Sequence, residues 1–204
     1  LGMYVDWLWF DEVGFTVVFW TSLWSRAVVG AVFAILFFVI VWGNVELARR
    51  LAPRLHPVGA DVVDQSQDAL YRFVGKAALW GLALLSLIAG YATSGSWLTF
   101  QRALHATSFG VEDPIFGHDL GFYIFSVPAW HYLQSFVFAC LLVSLALAAA
   151  VHLLLGGLSV GGFGIRLENG QARLRRPQVR LGLSSRAVAH LSALLGVIFV
   201  AVGV

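Results

Sequence analysis

Three groups of side chains could carry chemistry. The first is acidic: Glu112, Asp113 and Asp119, with His105 and His118 nearby. Carboxylates and imidazoles are hard-to-borderline ligands, so this set could hold a cation. The same residues also have a local use. Asp113 stands directly before Pro114, the order of a cap ahead of a proline-initiated turn of helix, and Asp119 could cap or close the next turn. The spacing matches no metal loop, so capping is favoured and no metal is assigned. Asp113, His118 and Asp119 are kept as a ligand-or-structural motif.

The second group is His131 and His152, the ionisable residues of a long apolar run. Ionisable residues inside a membrane are functional candidates by default. Each lies near an end of its run, where it is expected to reach water, so a packing or interfacial role is favoured over proton relay. The third is basic: Arg173, Arg175, Arg176 and Arg180. Near an anionic lipid surface each such residue contributes about 1 kcal/mol. No aromatics interleave with them for base stacking, so nucleic acid is not an expected partner. The glycines at 156, 157, 161, 162 and 164 lack a preceding strand and a following Lys-Ser/Thr, so they are not read as a phosphate loop. No Ser-His-Asp, Cys-His or paired-carboxylate arrangement has usable spacing. No catalytic residue and no cofactor is assigned, and an enzyme is the less favoured class.

The elements that hold these groups are oily. Phe136 to Leu155 contains two polar members, Ser144 and His152, and no formal charge occurs between Asp119 and Arg166. Twenty helical residues span about 30 Å, the thickness of bilayer hydrocarbon. The whole chain is 59% hydrophobic and 12% charged, where soluble domains carry roughly 25% charge. The fold class expected is therefore all-α: a polytopic transmembrane helical domain with interfacial helices. Cys140, the sole cysteine, falls mid-membrane and is expected to act as a small apolar residue.

In order, residues 1–24 mix acids with rings and read as an outer interfacial segment, partly helical. Residues 25–45 form the first span. Residues 46–76 form a polar loop, where Pro53 and Pro57 break the helix and an amphipathic helix starting near Asp61 runs into the next span. Residues 77–97 form the second span, with Gly81 and Gly90 expected on packing faces. Residues 98–129 are an outer aromatic loop, and 130–155 the third span. Residues 156–186 are a basic loop, where alternation around Asn169-Gly170 suggests a small β-hairpin. Residues 187–204 form a fourth apolar run. Leu1 is not a methionine and Val204 ends within an apolar stretch, so the expectation is a single-domain segment of a longer protein.

Eleven of the thirteen basic residues lie in the two loops 46–76 and 156–186; Arg26 and Arg102 are the others. Short basic loops stay cytoplasmic. This predicts 1–24 and 98–129 outside and the Arg-rich loops inside. Trp7, Trp9, Trp20, Trp24, Trp97 and Trp130 then gather on the outer side as interfacial anchors.

Three stretches carry a resemblance. Asp6-Trp7-Leu8-Trp9-Phe10-Asp11-Glu12-Val13-Gly14-Phe15 resembles the opening motif of the bacterial membrane proteins of uncharacterised protein family (UPF) number 0182. Asp113-Pro114-Ile115-Phe116-Gly117-His118-Asp119, with Phe122-Tyr123 and Phe125, resembles that family's Asp-Pro-x-Phe-Gly-x-Asp-x-x-Phe-Tyr-x-Phe element. His152 to Gly157 is a third, shorter match. The resemblance implies a multi-pass region of a bacterial plasma membrane protein. It also implies a helix before Leu1 and a large extracytoplasmic domain after the membrane region, both partners within the same chain. It names no reaction. Anchoring and orienting that domain is the expected role. A transport or channel module is the alternative, and a membrane-embedded enzyme acting on lipid or envelope precursors a weaker one. The lipid bilayer, anionic lipids included, is the expected partner.

Overall fold

The computed structural model describes residues 2–52, 61–153, 158–160, 165–168, 171–174, 179–181 and 184–203. Six α-helices dominate: α1 (Gly2–Glu12), α2 (Thr16–Leu51), α3 (Asp61–Ser94), α4 (Trp97–Leu104), α5 (Val127–His152) and α6 (Ser185–Gly203). Three stretches are long and apolar enough to cross a membrane: Thr16–Leu51, Phe122–His152 and Ser185–Gly203. A fourth counts if Ala78–Ser94 and Trp97–Leu104, bent by 61°, form one span.

The helix limits follow from local chemistry. Gly14, at φ +75°, separates α1 from α2, a conformation that costs glycine nothing. No proline interrupts 16–51, so α2 runs far beyond the apolar run expected at 25–45 and stops at Leu51, before Pro53. α3 starts at Asp61, as its cap-like position predicts, and carries straight on to Ser94. The expected span 77–97 is therefore broken. Near its end the Thr93 and Ser94 hydroxyls turn back onto the Ala89 and Tyr91 carbonyls, and Gly95-Ser96 forms the corner before α4. Before α5, Phe122–Ser126 is a π-helical turn. Pro128 has no N–H to give an α-helical bond in the following turn, and the wider winding accommodates it.

The described chain divides into two compact units, residues 1–39 with 75–137 and residues 40–74 with 138–204. In the first, α2 and α3 touch backbone to backbone. A Cβ on Gly90 would collide with the Gly30 carbonyl oxygen and lie 2.7 Å from the Ala34 Cβ. Such contact between small residues is how helices associate in lipid. Gly81, expected on a packing face too, has open space around it, so that expectation is corrected. Phe33 anchors an aromatic cluster, its ring centroid 4.6 Å from Phe136, 5.1 Å from Phe100 and 5.9 Å from Tyr132.

In the second unit, buried positions form stripes at helical spacing: Val41, Val45 and Ala48 on α2; Cys140, Ser144, Ala148 and His152 on α5; Ala187, His190, Leu194 and Ile198 on α6. Asn44 Nδ2 donates to the Ile40 carbonyl at 2.8 Å and lies 3.4 Å from Ser144 Oγ. Between α5 and α6, short strands pair antiparallel: β1 (Leu158–Val160) with β4 (Val179–Leu181), and β2 (Ile165–Glu168) with β3 (Gln171–Leu174). Asn169 and Gly170, where the tight turn is expected, lie outside the described residues.

Candidate functional site

The loop from α4 to the π-turn holds the acidic motif. Asp119 is its hub. Oδ2 accepts from Ser108 Oγ at 2.7 Å and from the Gly110 N–H at 2.9 Å; Oδ1 accepts from the Phe109 N–H at 3.0 Å and the Gly121 N–H at 2.7 Å. A charge-assisted acceptor with this many donors is held strongly in its ionised form. The Ser108 hydroxyl, then the Phe109 N–H, lowers its pKa to about 2. Gly121 must be glycine, because a Cβ there would collide with the Thr107 carbonyl oxygen.

Asp113 works on a smaller scale. Its Oδ2 accepts from the Phe116 N–H at 2.8 Å and lies 3.3 Å from the Tyr123 hydroxyl. Its backbone closes the same turn: Gly117 N–H donates to the Asp113 carbonyl at 2.9 Å, and Asp113 N–H to the His118 carbonyl at 2.8 Å. Residues 114–116 make a turn and not the short helix expected after a proline cap. Gly117, at φ +67°, ends it in a conformation that suits glycine. His118 lies against Phe122, ring centroids 4.9 Å apart. Glu112 pairs through its backbone with Asp119. His105 lies back over its own helix end, Nδ1 3.0 Å from the Gln101 carbonyl. Both aspartates are thus taken up as acceptors within the loop. Among the described residues no three His, Cys, Asp or Glu side chains gather as a metal site would require.

The two histidines of the apolar run differ in exposure. His131 is exposed. His152, expected to reach water, is 1% exposed. It is covered because its Nε2 meets His190 Nδ1 at 3.2 Å, the rings crossing at 76°. His190 is itself 7% exposed. Among the described residues, neither His152 Nδ1 nor His190 Nε2 has a hydrogen-bond partner. A neutral pair needs one donor and one acceptor at the shared contact. Whichever tautomers are chosen, one outward-pointing N–H and one outward-pointing lone pair remain unmatched, on opposite rings. His190 was not among the sequence candidates. Its signal was readable: it shares the 187, 194, 198 stripe of α6, the buried face.

Among the remaining candidates, Trp97 lies under the Arg26 guanidinium, 5.8 Å from it. Trp9, Trp20, Trp24 and Trp130 are exposed and Trp7 half-buried. Arg173 and Arg180 lie on β3 and β4, whereas Arg175 and Arg176 fall outside the described residues.

Long apolar helices, a backbone-to-backbone glycine contact and a loop closed on its own carboxylates define the class: a helical protein with at least three segments able to cross a membrane. The chain belongs to the uncharacterised protein family UPF0182, whose family model matches residues 1–204. Similar proteins include a UPF0182 protein of Streptomyces coelicolor, 36% identical over 201 residues, covering 96% of this chain and 18% of that protein. One from Salinispora tropica is 35% identical over 95% of this chain and 18% of its own length. One from Mycobacterium marinum is 37% identical over 79% of this chain and 16% of its own. The chain therefore spans under a fifth of the relatives it matches. No solved structure matches it.

Proposed function

We propose that this region anchors and orients a large extracytoplasmic part of the same protein in the bacterial plasma membrane. The observation that carries the reading is where the polar chemistry is used. The Asp113 and Asp119 carboxylates are consumed in closing the 105–121 loop, which leaves a rigid support between membrane helices and not an open catalytic or ligand cleft. The basic loops lie in the cytoplasm, 1–24 and 98–129 outside, with α1 and the start of α3 along the membrane surface. Arg173, Arg175, Arg176 and Arg180 meet anionic headgroups, and the strands at 165–168 and 171–174 close as a cytoplasmic hairpin. A transport or channel module is the second reading. It is favoured by the buried His152–His190 pair, whose outer nitrogens lack partners.

Two measurements on the full-length protein separate these readings. Glu112→Cys should be labelled by a membrane-impermeant thiol reagent on intact cells, and Gly170→Cys only after lysis; the reverse pattern overturns the orientation. In proteoliposomes, an ion flux abolished by His152→Leu would replace anchoring by transport. No flux, with the extracytoplasmic part released intact by proteolysis outside the bilayer, supports the anchor.

A further inference from the structure

The end of α4 and the closed loop display apolar side chains that nothing in the first unit covers. Leu104 is 79% exposed, Ile115 80% and Phe116 72%. The depth of α4, and so of Leu104 at its end, is fixed by two contacts. Arg26 is the charge that ends the apolar run beginning at Ala27, so it marks the edge of the hydrocarbon. Gln101 Nε2 donates to Ser25 Oγ at 2.6 Å, and Trp97 lies under the Arg26 guanidinium. α4 is therefore held at the level of residues 25 and 26. It is bent 61° from the end of α3, so it carries the chain sideways from there.

The loop that follows has the construction an interface demands. In and near lipid, backbone polar groups must be satisfied from within the protein. Here the Asp113, Phe116 and Gly117 N–H groups donate within the loop and Pro114 has none to satisfy, so the Ile115 N–H is the one donor of the turn without a partner among the described residues. Residues 114–117 carry no charge. Glu112 stays exposed at the base of the turn, which gives one wet side and one oily tip. A turn meant for water has no need of internal partners for most of its donors, and two large apolar residues at its apex are costly there.

We infer that the 113–117 turn is a phospholipid contact, with Ile115 and Phe116 seated at the boundary of headgroups and acyl chains in the outer leaflet. The inference rests on the proposed orientation for the word "outer" alone; lipid contact itself does not depend on sidedness. The turn acts as a lateral foot beside the spans, and the Asp113 and Asp119 bonds hold its shape so that insertion costs little ordering.

The test uses the full-length protein in vesicles of phosphatidylcholine and phosphatidylglycerol, carrying a polarity-sensitive dye on Ile115→Cys in a background without other reactive cysteines. Phe116→Cys is a second tip position, and Glu112→Cys the base. A lipid with a nitroxide at carbon 5 of its chain should quench the tip dyes about threefold or more better than the base dye, as shallow interfacial burial requires. Soluble iodide should show the opposite order. Iodide quenching of both tip positions equal to that of free dye would place the turn in water. Shielding from both quenchers would show that protein, a second copy or a later part of the chain, covers it. Either result overturns the inference. Thiol labelling of intact cells at Glu112→Cys reports the side separately. A tip quenched by lipid nitroxide but labelled only after lysis would sink the orientation and leave the lipid contact standing.

Discussion

The 105–121 loop and the α5–α6 histidine pair treat polar atoms in opposite ways. In the loop, one half-buried aspartate accepts four hydrogen bonds and every donor it meets is matched. In the helix pair, two buried imidazoles share one contact and leave two nitrogens unmatched. Water could satisfy the loop residues if the network were absent, so the network's value lies in fixing a shape. The paired rings are buried, so each unmatched nitrogen costs free energy that packing must offset. A closed polar network is the mark of architecture. An open one, tolerated in a dry place, is where a membrane protein retains something to act with.

The comparison breaks most visibly at Asp119. Asp119→Ala removes four acceptor contacts; the Phe109 and Gly121 N–H groups lose their partner together, and Gly110 keeps only its bond to Ser108 Oγ at 3.2 Å. Protease cleavage between 105 and 121 should then quicken by about tenfold or more, because local opening sets the rate. Mass spectrometry of the first fragments checks the site; unchanged cleavage would mean the loop is held by other means. Acid gives the same information without mutation. The folded pKa, about 2, lies below the ordinary 3.8, so ionised Asp119 stabilises the loop fully above about pH 4. That contribution fades as pH falls through 2. The wild-type loop should therefore become protease-sensitive to an acid-active enzyme between about pH 4 and 2, and Asp119→Asn should lack that transition.

The histidine pair should respond with a different pattern. His152→Leu alone strands the His190 ring in an apolar setting and should lower stability in detergent by about 1–3 kcal/mol. The double replacement, His152→Leu with His190→Leu, removes both polar rings and should recover most of it, since paired apolar substitution is nearly neutral. Denaturant titration of these two, of His190→Leu alone and of the wild type supplies a double-mutant cycle. Additive losses would show that the two rings do not act as a unit. Gly90→Ala is a control on packing without polar atoms. Its Cβ meets the Gly30 carbonyl and the Ala34 Cβ, and overpacking of that kind costs about 1–3 kcal/mol.

Much of the architecture is legible in the residues, because hydropathy and charge act over whole helices. Most of the apolar run 136–155 falls within Phe122–His152, and Asp61 opens α3. The misses are local. α2 extends to Thr16 because nothing between 16 and 26 breaks a helix, even though Trp, Phe and Thr there look interfacial. The corner at Gly95-Ser96 is written in a Thr-Ser-Gly-Ser run, but hydropathy averages across it. Asp113 and Asp119 are recognisable as turn residues. That one carboxylate would gather Ser108, Phe109, Gly110 and Gly121 is not, since it depends on chain segments eleven residues apart folding onto each other. His152 was misjudged for a plainer reason. Proximity to a helix end says nothing of what a neighbouring helix lays over it, and the partner lies 38 residues away.

The smallest effect sharpens the contrast by showing what a weak polar contact in the same unit is worth. Ser144 is fully buried, and its hydroxyl lies 3.4 Å from Asn44 Nδ2. That distance is beyond the usual range for a good N–H···O bond. Asn44 also gives its amide to the Ile40 carbonyl at 2.8 Å, so losing Ser144 leaves it partnered. Side-chain bonds between membrane helices average about 0.6 kcal/mol, and a long one should fall below that. Ser144→Ala keeps the small volume that the α5 stripe needs and should change stability by less than about 0.6 kcal/mol. If Ser144→Ala instead costs as much as His152→Leu, then burial alone sets the penalty for any polar group here. The histidine pair would then lose its claim to be different in kind.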